Sequence, residues 1–259
     1  MKTNIMRVSG GKSAEITLPQ QFMEPVRSDL VKRAVSSLQM SRRQPYGADP
    51  MAGKRQGYTT VKRRKKFKTT YGKGVSRIRR KHLWSRGSQF YWIGAFVANA
   101  VGGRKAFPPK SDKNLIERIN KKERRKAIRS AISGSKYMIL DDSFEKLKKS
   151  KDIINSLIKN DLKSELDRLE NKKIRSGKGK TRGRKYITKK GPLVIVGDMC
   201  PAVLATENLQ GFDVSIVNNL NAELLAPGGN IGRRTIWTKS AVEKLEKERL
   251  FLWKTFTKY

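Results

Sequence analysis

Residues 41–110 show no sustained period of 2 or 3.6, and this limits what the chain can fold into more than any other feature. A stretch of that length without regular elements does not fit inside an ordinary compact domain. It holds 19 Lys and Arg against one acidic residue, Asp49, with nine Gly and four Pro. Two readings fit: a disordered segment, or an extended arm that orders against a partner. The rings decide between them. Tyr46, Tyr58, Phe67, Tyr71, Trp84, Phe90, Tyr91, Trp92, Phe96 and Phe107 all lie in the stretch, whereas disordered basic tails are poor in aromatics. An arm that stacks on bases needs both charge and rings.

The same imbalance runs through the whole chain. Its 259 residues carry 59 Lys and Arg against 22 Asp and Glu, a formal charge of +37. A globule so charged repels itself and needs a polyanion. Nucleic acid is favoured over an anionic membrane, because the charge is spread along the chain and not gathered on one amphipathic helix. The longest apolar run, Phe90 to Val101, is 12 residues and contains Asn99, against about 20 residues for a span. The start, MKTNIMRVSG, has no apolar signal core, so a cytoplasmic location is expected. Cys200 is the single cysteine and cannot form an internal disulfide.

Periodic structure flanks the arm. Ile5, Met6 and Val8, a Ser9–Lys12 turn, then Ile16 and Leu18 read as a hairpin over 4–18. A helix is expected from Pro25 to Arg43, with Val26, Leu30, Ala34, Val35 and Leu38 as its stripe. A second is expected from Ser111 through Ser133, with Leu115, Ile116, Ile119, Ala127, Ile128, Ala131 and Ile132 inward. Tyr137–Leu140 reads as a buried strand and Asp152–Leu169 as one amphipathic helix. Residues 172–190 form a second basic segment with ten Lys and Arg and no carboxylate. Beyond it, strands at Leu193–Gly197, Asp213–Val217 and Arg234–Thr238 alternate with helices at Pro201–Leu209 and after Thr238. The last helix has a capping box in Ser240 and Glu243. This alternation predicts an α/β fold: a three-layer body with a mostly parallel sheet, and a long extended basic loop inserted near its N-terminal third.

Phosphate clamping is the reading for the arm arginines Arg42, Arg43, Arg55, Arg63, Arg64, Arg77, Arg79, Arg80, Arg86 and Arg104, since a guanidinium fork matches phosphate oxygens and acidic neighbours are lacking. Lys62, Lys65, Lys66 and Lys68 act as less directional charges. Tyr46, Phe67, Tyr71 and Trp84, isolated among cations, read as base stackers. Phe90–Val101 reads better as a local mini-core or a protein contact. Gly47, Gly53, Gly72, Gly74, Gly102 and Gly103 would let backbone pass close to RNA or turn with positive φ, or would serve only as flexible joints.

Other chemistry is poorly supported. GKGKT at 177–181 would need Gly at 174 for a phosphate loop, where Ile174 stands, and Gly11-Lys12-Ser13 would need Gly at 6, where Met6 stands. Asp198, Asp141 and Asp142 follow strands, where α/β enzymes place carboxylates, yet helix caps or loop carboxylates explain them better. His82 has no Cys or His at ligand spacing, so no metal and no cofactor is expected. Cys200 has no evident base.

Several segments together resemble one family. RRQPYGADPMAGKR (42–55), Tyr71-Gly72-Lys73-Gly74-Val75-Ser76-Arg77-Ile78-Arg79-Arg80, VGGRKAFPPK (101–110) and NKKERRKAIRSAIS (120–133) resemble, in order, the loop and following helix of the large-subunit ribosomal protein four family, archaeal and eukaryotic type. RSGKGKTRGRKY (175–186), GPLVIV (191–196) and LNAELLAPGGNIGRRTIWTKSAVEKL (220–245) are similar to its C-terminal signature. The stretches 61–68 and 88–101 depart from the pattern, being more basic and more aromatic. The resemblance implies a globular body (1–44 and 108–259) on the large ribosomal subunit and a loop (45–107) threading through rRNA to the nascent-peptide exit tunnel. It implies early rRNA binding during assembly and no catalysis. The rRNA-contacting set is then Arg42, Arg43, Tyr46, Lys54, Arg55, Arg63, Arg64, Tyr71, Lys73, Arg77, Arg79, Arg80, Trp84, Arg86, Arg104, Lys105, Lys178, Lys180, Arg182, Arg184, Lys185 and Arg233. The expected partners are large-subunit rRNA, neighbouring ribosomal proteins and the nascent peptide near the loop tip, with no membrane and no homo-oligomer. The alternative is an RNA-processing or RNA-modifying enzyme with a basic arm. A histone-like DNA compactor is a third option, which predicts no preference for RNA over duplex DNA.

Overall fold

The computed structural model describes residues 1–252. Its contacts separate two units, Met1–Arg42 with the chain from Ile116 onward, and Arg43–Leu115.

The first unit is built on a six-stranded sheet. Its strands in chain order are β1 (Lys2–Met6), β2 (Lys12–Thr17), β5 (Lys136–Leu140), β8 (Leu193–Val196), β9 (Asp213–Ile216) and β10 (Arg234–Thr238). The spatial order is β2-β1-β5-β10-β8-β9, parallel throughout except for the β1–β2 hairpin. Alternate residues of the central strands face opposite cores, as the two-residue period requires. Ile5, Ile139, Leu193, Ile195 and Trp237 point to one side. There they meet α1 (Ser28–Arg42), α2 (Lys121–Ser133), α6 (Ala222–Leu225) and α7 (Lys239–Lys247). Leu140, Val194, Val196 and Ile236 point to the other side. They meet Phe144 with α3 (Ser150–Lys159), α4 (Lys163–Glu170) and α5 (Pro201–Glu207). Both faces are therefore sealed, which explains why Leu193–Val196 reads as an unbroken apolar run. Each fully buried Leu, Ile or Val in these layers contributes about 1.5–3 kcal/mol. The three-layer, mostly parallel α/β body expected from the strand–helix alternation is the observed one.

Several boundaries differ from expectation, each for a local reason. Helix α1 starts at Ser28, and Val26 is 55% exposed instead of joining the stripe. Residues 111–120 are not helical. The Ser37 hydroxyl donates to the Glu117 carbonyl, an acceptor that a helix would have used internally, and Ser36 donates to the Glu117 carboxylate. The helix expected over 152–169 is two helices. Asn160 donates from its side-chain amide to the carbonyls of Ser156 and Arg7, and Asp161 turns left-handed at φ 58°. The capping box at Ser240 is not formed. Thr238 is the cap, accepting from the Ala241 amide, while Ser240 lies inside the helix and donates to Glu145.

Arg233 is the largest correction. Expected to contact rRNA, its guanidinium is instead 5% exposed. It donates to the carbonyls of Gly191, Leu224 and Pro192 and to the Asp213 carboxylate at 2.6 Å. It ties the β8 and β9 starts to α6. Burial pushes the Asp213 carboxyl up, but hydrogen bonds and charge from Lys190 and Arg233 outweigh it and hold the group below its usual value. The pair's stabilisation is thus complete above the unfolded carboxylate range, near pH 4, and is lost as pH falls through the lower folded value. Arg233→Ala is expected to cost roughly 1–3 kcal/mol by urea unfolding, because it leaves the carbonyls of Gly191, Pro192 and Leu224 without their donor and Asp213 with Lys190 alone. Arg182→Ala, on the exposed basic hairpin, should stay within about 0.5 kcal/mol. Equal, small effects would contradict the internal role of Arg233.

Candidate RNA-binding surface

The second unit, 43–115, holds 19 Lys and Arg against two carboxylates, Asp49 and Asp112. It is not featureless. Strands β3 (Arg80–Arg86) and β4 (Gln89–Gly94) form an antiparallel hairpin with Gly87 at φ 55° in its two-residue turn. The register shifts between His82 and Trp84, so Leu83 is an extra residue on one strand. Such a bulge moves the following side chains to the opposite face, which is why no period of 2 is sustained there. Around the hairpin, Thr60 accepts the Arg80 amide and donates to the Arg80 carbonyl, and the Ala95 amide donates to Arg79. Of the run Phe90–Val101 only Ala95 is buried, while Phe90, Trp92, Ile93, Phe96 and Val97 are half-buried and Tyr91 is exposed.

The limbs on either side of the hairpin run together. The Ala48 amide donates to the Pro109 carbonyl at 3.0 Å, and the Gln56 side-chain amide to Gly102 at 3.0 Å. Gly53 and Gly103 explain how closely the limbs approach. A Cβ on Gly53 would lie 2.4 Å from the Gly103 carbonyl, and one on Gly103 would lie 2.0 Å from the Val97 oxygen. These two glycines thus admit backbone of the chain itself.

Cations and rings alternate in space as well as in sequence. Arg64 and Arg77 lie 5.4 and 4.6 Å from the Tyr71 ring centre. Arg79 sits 4.4 Å from Tyr58 and 5.1 Å from Phe96. Lys73 covers both Phe90 and Trp92, at 5.0 and 5.3 Å. Stacking on a ring holds a long cation in place and lowers the entropy lost when it meets a phosphate. Arg42, Arg43, Tyr46, Lys54, Arg55, Arg63, Arg64, Arg77, Trp84, Arg86 and Lys105 are exposed; Tyr71, Lys73, Arg79, Arg80 and Arg104 are half-buried. Arg42 reaches Glu223, and Arg55 pairs with Asp49. Tyr71, held between two guanidiniums, offers bound cations more than an open ring. Trp84 at 52% exposure remains open, and Phe67, 84% exposed, has the Lys68 ammonium 5.3 Å from its ring centre.

Arm residue His82 gained no role from sequence. It pairs with Trp92 across the hairpin and stacks on it with centroids 3.8 Å apart and planes 14° apart. Burial, followed by the charges of Lys68 and Lys73, holds its imidazole below the usual value near 6.5.

In the first unit, β6 (Lys173–Ile174) and β7 (Tyr186–Ile187) make a second basic hairpin. Lys178, Lys180, Arg182, Arg184 and Lys185 are exposed on it. The GKGKT run forms its turn rather than a strand-to-helix loop, so it does not cradle a nucleotide as a phosphate loop would. The carboxylates that could have suggested catalysis have structural partners. Asp141 caps the turn at Asp142, Asp142 accepts the Ser240 amide, and Asp198 pairs with Lys244. Burial and Glu145 push the Cys200 thiol up, away from the reactive thiolate. Among the described residues no three or more His, Cys, Asp and Glu gather as a metal site, and no helix is long and apolar enough to cross a membrane.

The profile of the ribosomal protein L4/L1 family matches residues 16–248. The chain belongs to that family. Among its relatives is the large ribosomal subunit protein uL4 of Nanoarchaeum equitans, 43% identical over 97% of this chain and all of the relative. That of Methanosphaera stadtmanae is 43% identical over 94% of this chain and 96% of its own length. That of Methanocaldococcus jannaschii is 42% identical over 96% and 99% respectively. Membership places the chain with structural ribosomal proteins of archaeal type and sets aside the RNA-processing enzyme.

Since His82 is the chain's single histidine, proton NMR can follow it alone. Its midpoint in the free protein should fall below that of an unfolded control, and Lys73→Gln should raise it. With the folded value depressed, the hairpin keeps its full stability above the unfolded value and loses it as pH drops toward the folded one. A midpoint at or above the control would contradict the packing described.

Proposed function

We propose that the chain is a structural constituent of the large ribosomal subunit, binds large-subunit rRNA early in assembly, and lines part of the nascent-polypeptide exit tunnel with its 45–107 loop. The observation that carries this reading is the second unit's surface, 19 cations against two carboxylates and fixed in part by ring stacking. Converging rRNA segments repel one another, and a ribbon of guanidiniums between them neutralises phosphates from several at once. Counterion release makes such binding strong and salt-sensitive. Where the RNA is helical, backbone and shape contacts dominate over base-edge readout. Part of the binding energy offsets the ordering of the arm. The basic hairpin at 172–190 supplies a second rRNA contact from the first unit. Neighbouring ribosomal proteins and, near the loop tip, the nascent peptide complete the partners, in the cytoplasm.

The test is rRNA binding measured across a salt series. The triple variant Arg63→Ala, Arg64→Ala and Arg86→Ala should bind more weakly. The slope of log affinity against log salt should shrink by about 0.7–0.9 for each phosphate that is no longer neutralised. An unchanged slope would show that these side chains do not meet phosphate.

A further inference from the structure

The geometry points to a nucleotide-binding cleft at the base of the second unit that takes one unstacked base of single-stranded rRNA; this rests on the rRNA-binding reading above. The cleft has a volume of about 600 Å³ and is lined by Arg43, Tyr46, Phe107, Pro108, Pro109, Lys110, Lys113 and Leu115, within the range of small-ligand sites. Tyr46, Phe107, Pro108, Pro109 and Leu115 supply its apolar part. Tyr46 and Phe107 are 58% and 94% exposed, so both rings are open to a ligand. Its cations are Arg43, Lys110 and Lys113, and no carboxylate lines it. The Arg43 guanidinium already lies 5.2 Å from the Tyr46 ring centre.

The cleft is also built, not left over. The Ala48 amide donates to Pro109 at 3.0 Å and the Lys113 amide to Lys110 at 3.3 Å. A Cβ on Gly47 would lie 2.6 Å from the Ser111 amide nitrogen, so the two limbs close against each other here. An open cleft that sets two exposed rings and two prolines beside three cations matches a base with its phosphates. An aliphatic ligand would leave the cations unused, and a free phosphate would leave the rings unused. A duplex keeps its base faces stacked inside, so the fitting source is an extruded or single-stranded nucleotide. The charge excludes a basic peptide; an acidic peptide is the competing occupant, and the experiment separates the two.

The test replaces Phe107 by the photoreactive p-benzoylphenylalanine in the full chain, isolates large subunits, irradiates them and digests with ribonuclease. An adduct whose mobility shift disappears on ribonuclease treatment is the expected result. A ribonuclease-resistant protein adduct, or no adduct from chain that has entered the subunit, would overturn the cleft while leaving rRNA binding intact. Failure of the chain to enter the subunit at all would overturn the proposed function with it. Binding of free protein to a uridine 12-mer and to a 12-base-pair RNA duplex gives a second readout. Tyr46→Ala with Phe107→Ala should weaken the single strand by about 5- to 150-fold, the worth of one stacked base, and leave the duplex unchanged. Both rings are at the surface, so folding is preserved. Equal weakening for both probes, or none for either, would overturn the assignment.

Discussion

Charge repulsion within residues 43–115 is the constraint on which the rest depends. Nineteen cations with two carboxylates among them cannot be neutralised internally, and the Arg55–Asp49 pair shows how little internal pairing is available. The segment answers this in two ways. Guanidiniums and ammoniums settle on ring faces, as Arg79 does between Tyr58 and Phe96 and Lys73 over Phe90 and Trp92. The remaining repulsion is left for a polyanion to remove. A segment so charged has reason to persist only if that polyanion is its regular partner.

The body follows the opposite rule. Its sheet is covered on both faces, its carboxylates are spent on helix caps and ion pairs, and its most enclosed cation is matched by Asp213 and three carbonyls. A cation held that way contributes to the fold and cannot serve RNA at the same time. The outward-facing Lys178, Lys180, Arg182, Arg184 and Lys185 differ from Arg233 in exposure and not in chemistry. Burial, which decides between the two roles, is a property of the fold.

How much of this could be read from sequence divides along the same line. The parallel sheet was legible because strands buried on both faces are continuously apolar, as Leu193–Val196 is, and because helices alternate with them. The basic arm was legible from charge without acidic neighbours. Three things were hidden. The β3–β4 hairpin escaped because the bulge at Leu83 interrupts its period. The 111–120 segment looked helical because its apolar spacing is right, but Glu117 gives its carbonyl to Ser37 of α1 instead of to a helix of its own. Arg233 looked like every other arginine, since nothing local signals its reach to Gly191 and Asp213. The Tyr46–Phe107 cleft was half visible. Tyr46 stood out as a ring among cations, but Phe107, Lys110 and Lys113 join it only when the limbs close, about 60 residues apart in the chain.

The most direct measurement of the central claim is sedimentation of cell lysate through a sucrose gradient at low and moderate salt, probing for this chain. Migration with the large subunit, retained through the moderate-salt wash, is the predicted result, because many phosphate contacts made together release slowly. Recovery at the top of the gradient with free proteins would contradict the account. It would mean that the charge of the second unit is neutralised by something other than the ribosome.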